Sequence, residues 1–213
     1  MLRYIHANDL TQYPRLSETM FRDRAAQFHE RLSWEVEVDA SGAEHDAYDK
    51  QNPVYVIWER QDGTHGGSMR YMPTTGATMV NDHFSHLSDG LHIASPLIWE
   101  CTRFCQAPGA NARISALLML GSMQLGLGFG LSHIVGVFDA RMVRIYRRLG
   151  WGPTILGTEG KGREANSVGL WDVDRTTHQR LLLRAGVSAE LSQLWFDRGF
   201  ANDDAREILG KTG

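Results

Sequence analysis

Apolar positions along this chain alternate between two spacings, and the changes of spacing mark out the elements. Residues 16 to 32, LSETMFRDRAAQFHERL, place Phe21, Ala25, Phe28 and Leu32 on one helical stripe. Arg24 falls beside that stripe, one turn before Phe28. A polar, turn-rich segment containing EHDAYDKQNP follows. PVYVIWER (53–60) reads as a strand, and QDGTHGG as a turn leading into SMRYM, the second strand of a hairpin. After a loop that holds Phe84 comes a strand over 96–106, ended by APGANAR, and then a helix from near Ile114. HIVGVF (133–138) predicts a further strand and ARMVRIYRRLG a helix closed by Gly150. GPTILG and SVGLWDV are two more strands. From Thr176 onward HQRLLLRAG, AELSQLWF and DDAREILG read as separate helices. The order predicts a single α/β (α+β) domain over residues 1–213, a mixed sheet with helices on both faces.

Composition changes little in this picture. Of 213 residues 42% are hydrophobic and 22% charged, the balance of an ordinary globular chain. A net charge of −3 gives no global reason to expect a nucleic-acid or membrane partner. The opening MLRYIHANDLTQYP lacks an apolar core followed by a cleavage site, so no signal peptide and a cytoplasmic setting are expected. ALLMLGSMQLGLGFGL (116–131) is interrupted by Gln124 and glycines and reads as a buried helix, not a span. LGLGFG imitates a phosphate loop, but its glycines end a helix and precede a strand, the reverse of the dinucleotide order. Cys101 and Cys105 are spaced poorly for a bridge or a zinc half-site, the histidines are scattered, and no metal site is expected. On the helix after HIVGVF, Met142, Ile145, Tyr146 and Leu149 form the expected buried stripe. Arg141, Arg144 and Arg148 share another face with Arg147 next to them. That face is either a solvated basic surface or a docking surface for an acidic partner.

One stretch resists a bland reading. LIWECTRFC (97–105) is an apolar, β-prone run that carries Glu100 and Arg103. On a regular strand, positions three apart face opposite sides. Either the two charges serve different neighbours, or a bulge turns them toward one cleft.

Taken in order, the chain offers Arg24, Phe28 and Trp34 in FRDRAAQFHERLSW, and Asp46 and Asp49 in EHDAYD. Arg70 in SMRY, Phe84 in HF, and Glu100 and Arg103 in ECTRF follow. This set, at this spacing, resembles the acyl-homoserine lactone synthases, the autoinducer-producing family of bacterial quorum sensing. The likeness covers roughly residues 20 to 175, and the helices from about 176 match only loosely. It implies an acetyltransferase-like fold with a V-shaped cleft between two central strands, the Glu100 strand being splayed and bulged. It also implies that an acyl group, carried as a thioester on acyl carrier protein, is joined to S-adenosylmethionine. The products are then the acylated lactone, methylthioadenosine and free carrier protein. S-adenosylmethionine is a substrate in this scheme, and no cofactor is implied.

The chemistry asks for such residues in its own right. The attacking amine must be neutral, which near pH 7 costs only about 1 kcal/mol for an α-amino group. A base is needed for the proton released as the C–N bond forms, and Glu100 is the candidate, with Thr102 as an extra donor to the oxyanion. Phe28 and Trp34 supply an aromatic wall for the sulfonium. Asp46 and Asp49 add negative potential and can pair with Arg24 and Arg70 to order the loop over the cleft; spacing alone favours an Asx-turn, and the family resemblance reverses that. In the family, a hydroxyl residue on the strand after the glycine-rich helix end accompanies 3-oxo substrates. Gly136 stands there in this chain, with Met79, Leu118 and Met119 expected to line an acyl tunnel. Two other readings remain: a coenzyme A-dependent N-acetyltransferase, whose pyrophosphate loop would be QAPGANAR with its single glycine, and a non-catalytic acyl-carrier-binding module.

Overall fold

A computed structural model describes the backbone of residues 1–162 and 165–210, and the side chains of these up to 201. A seven-stranded sheet in the order β1-β2-β3-β4-β5-β7-β6 forms its centre. Its strands are β1 (Leu2–His6), β2 (Val54–Glu59), β3 (His65–Pro73), β4 (Ile98–Gln106), β5 (His133–Asp139), β6 (Thr154–Glu159) and β7 (Asn166–Asp172). All neighbours are antiparallel except β4 and β5. The helices are α1 (Pro14–Ala25), the short α2 (Met79–His83), α3 (Ala112–Gly128), α4 (Arg141–Leu149), α5 (Arg175–Ala185) and α6 (Ala189–Gly210). This is the mixed sheet with helices on both faces that the periodicity predicts.

Alternation along each strand assigns the two faces. Val54 and Val56 of β2 join Met69 and Tyr71 of β3 in a core with α3, whereas Tyr55 and Ile57 face Leu16, Met20 and Phe21 on the α1 side. α3 is apolar nearly all round because strands, α5 and α6 surround it. Each fully buried leucine, such as Leu117 or Leu120, contributes roughly 1.5–3 kcal/mol. At Gly121 a Cβ would stand 2.6 Å from Val56, so glycine is what lets the helix lie this close to β2.

Three elements depart from the sequence reading. β1 was not expected; it pairs with β2 and has its other edge covered by α6, and five residues with two basic ones leave too little alternation to detect. The helix expected over 16–32 stops being α-helical at Ala25 and continues as a π-helical turn, Ala26–Arg31. That turn removes Leu32 from the Phe21 stripe. AELSQLWF and DDAREILG belong to one helix, α6. Among the described residues no helix is long and apolar enough to cross a membrane.

Candidate active site

The cleft begins where β4 and β5 part. Their parallel pairing joins Ile98, Trp99 and Glu100 to His133, Ile134 and Val135 and goes no further. Beyond it the strands diverge around a cavity of about 480 Å³, lined by Cys101–Phe104 on one side and Gly136–Asp139 on the other. Because the sheet is open there, the cavity connects both faces, from Phe28 and Trp34 to Met119 and Ser122 of α3. The released edge of β4 does not go unpaired. Gln27, on the π-helical turn, donates to the Phe104 carbonyl at 2.7 Å and accepts from the Gln106 N–H at 3.0 Å. Its side-chain amide replaces a strand.

β4 is bulged. Ser68 pairs with Cys105 but Arg70 with Thr102, so Met69 alone opposes both Arg103 and Phe104. Arg103 takes the extra step with φ +53°, a left-handed conformation costing roughly 1–2 kcal/mol for such a residue. The effect is that Glu100, Thr102 and Arg103 all face the α1 side, while Phe104 turns to the α3 core. Of the two readings of ECTRF, the bulge is the one the structure contains.

Arg103 reaches a buried ion network. Its guanidinium contacts Glu44 at 2.9 Å and Asp46 at 2.8 Å. Arg24 donates to Glu44 at 2.5 Å and grips both oxygens of Asp49 at 3.0 Å. Arg70 holds Asp46 in the same two-pronged manner at 2.5 and 2.9 Å, and Asp49 at 2.6 Å. Tyr55 also donates to Asp49. Burial works to raise the Asp46 and Asp49 carboxyls, but Arg70 and Arg103 around Asp46, and Arg24 and Arg70 around Asp49, hold both below the usual range. The two sequence readings of Asp46 coexist, because it also caps the turn Ala47–Gln51 by accepting from the N–H groups of Tyr48 and Asp49. Glu44, Gln27 and Tyr55 were not singled out in the sequence; Glu44 opens EHDAYD, and nothing local marks its partners.

Glu100 is completely buried, and its two oxygens accept from the N–H groups of Met79 at 3.0 Å and Val80 at 2.6 Å. Burial pushes its carboxyl up to about 7, against those two N–H groups, which favour the anion. Thr102 lines the cavity and accepts from Arg70 Nε at 2.9 Å, which leaves its own O–H free to donate. Trp34 stacks on Phe28 at 5.1 Å and is 43% exposed. The cation over Phe28 is the Arg103 guanidinium, 5.3 Å from the ring centre.

Not every expected residue reaches the cleft. Gly136, Met79 and Met119 line it; Leu118 does not, nor do Arg24, Asp46, Asp49 and Arg70, and Glu100 stands off the lining with its oxygens on the Met79 and Val80 N–H groups. The cavity stripe of α3 is Ser115, Met119 and Ser122, and Leu118, a third of a turn away, packs toward Gly67 of β3. Phe84 lies with Val80, Leu87 and Ile93 under the β5–β7 face instead of on the cavity. On α4 only Tyr146 is buried; Ile145, expected in the buried stripe, is 42% exposed at the cavity wall. Arg141 pairs with Asp139 at 3.0 Å, while Arg144, Arg147 and Arg148 are exposed. Both cysteines are free.

The comparisons with known proteins bear on this geometry directly. The pattern of the autoinducer synthase family matches residues 8–181. The acyl-homoserine-lactone synthase of Rhizobium etli is 42% identical over 200 residues, covering 91% of this chain and 93% of its own. The chain belongs to the autoinducer synthase family. Membership makes it an acyltransferase, an acyl-homoserine-lactone synthase. Among solved structures, the coenzyme A-dependent acyl-homoserine lactone synthase BjaI, with S-adenosylmethionine and isopentyl-CoA, superposes with a TM-score of 0.79 at 26% identity, covering 89% of this chain and 90% of its own. MesI, described in the same terms as coenzyme A-dependent, gives 0.78 at 23% over 90% and 98%. The fold extends to a putative N-acetyltransferase from Lactobacillus plantarum, with a TM-score of 0.53 at 14% identity over 81% and 99%. The sheet of this autoinducer synthase is therefore an acetyltransferase-like one, opened at the β4–β5 splay.

Proposed function

We propose that the enzyme moves an acyl chain from the thioester of acyl carrier protein to the amine of S-adenosylmethionine and closes the lactone on the product. The observation that carries this reading is the through-going cleft at the splay, with Phe28, Trp34 and Arg103 at one end and an apolar tunnel toward Met119 at the other. The amine attacks the thioester carbonyl, the C–S bond breaks, and the thiol leaves on the carrier arm. Glu100 takes the amine proton, directly or through a water, and Thr102 donates to the oxyanion. The methionyl carboxylate then displaces the sulfonium, releasing methylthioadenosine, a step favoured by proximity. Arg24, Arg70, Asp46 and Asp49 order the wall of the cleft, and Phe84 supports it from behind. The exposed arginines of α4, Arg144, Arg147 and Arg148, with Arg141 at the rim, dock the acidic carrier protein. No cofactor enters, and the setting is cytoplasmic, where both substrates are found. Gly136 places no hydroxyl beside the chain and leaves room, so the acyl group is medium to long and lacks a 3-oxo oxygen.

A second reading, acyl-coenzyme A as donor, is favoured by the descriptions of BjaI and MesI. Purified enzyme with S-adenosylmethionine and either octanoyl carrier protein or octanoyl-coenzyme A, assayed by mass spectrometry for the homoserine lactone, decides between them. Turnover tenfold or more faster with the carrier protein is expected; the reverse preference replaces it with the coenzyme A donor.

A further inference from the structure

Within the cleft, the buried hydroxyls of Ser115, Ser122 and Thr102 are all engaged. Gln106 donates to Ser115 at 2.7 Å, Tyr71 meets Ser122, and Arg70 donates to Thr102 at 2.9 Å. Tyr146 differs. It is only 6% exposed and lines the cavity with its ring against Trp171 at 5.1 Å, Phe138 at 5.5 Å and Phe104 at 6.3 Å. Among the described residues its hydroxyl has no hydrogen-bond partner. The phenol oxygen is not sealed off from the cavity, so what fills that space can supply the partner.

A second feature faces the same space. β4–β5 pairing ends at Glu100 and Val135, and the Cys101 carbonyl oxygen lies 3.0 Å from where a Cβ on Gly136 would stand. The splay thus offers one acceptor, the Cys101 carbonyl, and one hydroxyl, Tyr146, beside a glycine whose missing Cβ leaves that carbonyl uncovered. A hydroxyl group on the acyl chain satisfies both, donating to Cys101 and accepting from Tyr146. A keto oxygen has no proton for Cys101 and sets two lone-pair oxygens against each other. An unsubstituted methylene leaves Tyr146 unpaired. Burial holds the Tyr146 phenol far above its ordinary range, so it stays a donor throughout the working pH.

We propose that Tyr146, with the Cys101 carbonyl left uncovered by Gly136, selects acyl chains bearing a β-hydroxyl, the group that reduction of a β-keto thioester leaves. The proposal rests on the acyl-transfer reading above and names its substrate class. It also implies that a β-ketoacyl thioester reductase supplies the donor, and that the chain is taken before dehydration.

The experiment compares 3-hydroxyoctanoyl, octanoyl and 3-oxooctanoyl donors, on whichever thioester the enzyme turns over, in wild type, Tyr146→Phe and Gly136→Ala. Wild type is expected to favour the 3-hydroxy donor in kcat/KM over both others. Tyr146→Phe should cut the ratio of 3-hydroxyoctanoyl to octanoyl kcat/KM roughly tenfold, the size of one net hydrogen bond. Gly136→Ala, crowding Cys101, should lower the same ratio. No wild-type preference for the hydroxyl, or a ratio unchanged in Tyr146→Phe because all donors slow together, overturns the assignment while leaving acyl transfer intact. Absence of homoserine lactone from every donor overturns the acyl-transfer reading with it.

Discussion

At Glu100 burial and hydrogen bonding oppose each other, and the balance places its ionisation near 7, inside the range where the enzyme must work. As the proposed base it must be ionised, so kcat should rise with pH through about 7. Glu100→Gln keeps the shape but exchanges one acceptor of the Met79 and Val80 N–H groups for a donor, and removes the base. Turnover is expected to fall by roughly 10²–10⁴ with S-adenosylmethionine affinity changed only a few-fold; an unchanged kcat at saturation excludes Glu100 from proton transfer. The same group has a consequence for stability. Its folded-state value lies above the ordinary 4.5, so its contribution is full below 4.5 and is lost as pH rises to about 7. Urea unfolding should show wild type losing up to about 3 kcal/mol relative to Glu100→Gln across that window. Parallel curves would mean that Glu100 does not titrate there. Residue identities were legible here only in part. The pairing of Arg24 and Arg70 with Asp46 and Asp49 could be read, because the residue types and order are distinctive. Glu44 and Gln27 could not, since what they satisfy, a bulged arginine and a released strand edge, exists only after folding.

On helix α4 the proposed docking face is the one left uncovered. Arg144 and Arg148 are one turn apart and exposed, in a chain whose net charge of −3 would otherwise repel an acidic partner. Reversing both to Glu should raise KM for acyl carrier protein on the order of tenfold or more and flatten its salt dependence. A change confined to S-adenosylmethionine kinetics would show that α4 does not dock the carrier. Element by element, long periodic segments such as α3 and β5 were readable, because a face several turns or residues long repeats its signal. The π-helical turn after Ala25 was not: it changes the period for six residues, Ala26–Arg31, while Phe28 remains buried, so the stripe runs on unbroken in the sequence. The bulge in β4 left a trace, the anomalous charge pair in ECTRF, whereas Leu118 falls off the cavity stripe of α3 because a one-position rotation cannot be told from composition.

Across the whole molecule, the cleft wall is joined by a set of charges drawn from four separate stretches of chain: Arg24 on α1, Glu44 to Asp49 in the loop, Arg70 on β3 and Arg103 on the β4 bulge. The three arginines and three carboxylates balance, which is what allows Arg24 and Arg70 to be fully buried. Arg70→Met breaks the central member and leaves Asp46 and Asp49 short of partners. About 3–5 kcal/mol of stability should be lost, a fall in Tm of roughly 6–20 °C for a chain of this size. Arg70→Lys restores the charge but not the two-pronged grip and should fall between. The sign of the pH dependence separates this from a simple packing defect. Asp46 and Asp49 have folded values held below their ordinary 3.8, so the network's contribution is present above 3.8 and is lost as pH falls through those lowered values. The stability gap between wild type and Arg70→Met should therefore be full near neutrality and close as the pH drops below about 3.8. A gap that stays constant into acid would place the effect of Arg70 in packing instead of in the charges that hold the loop against the cleft.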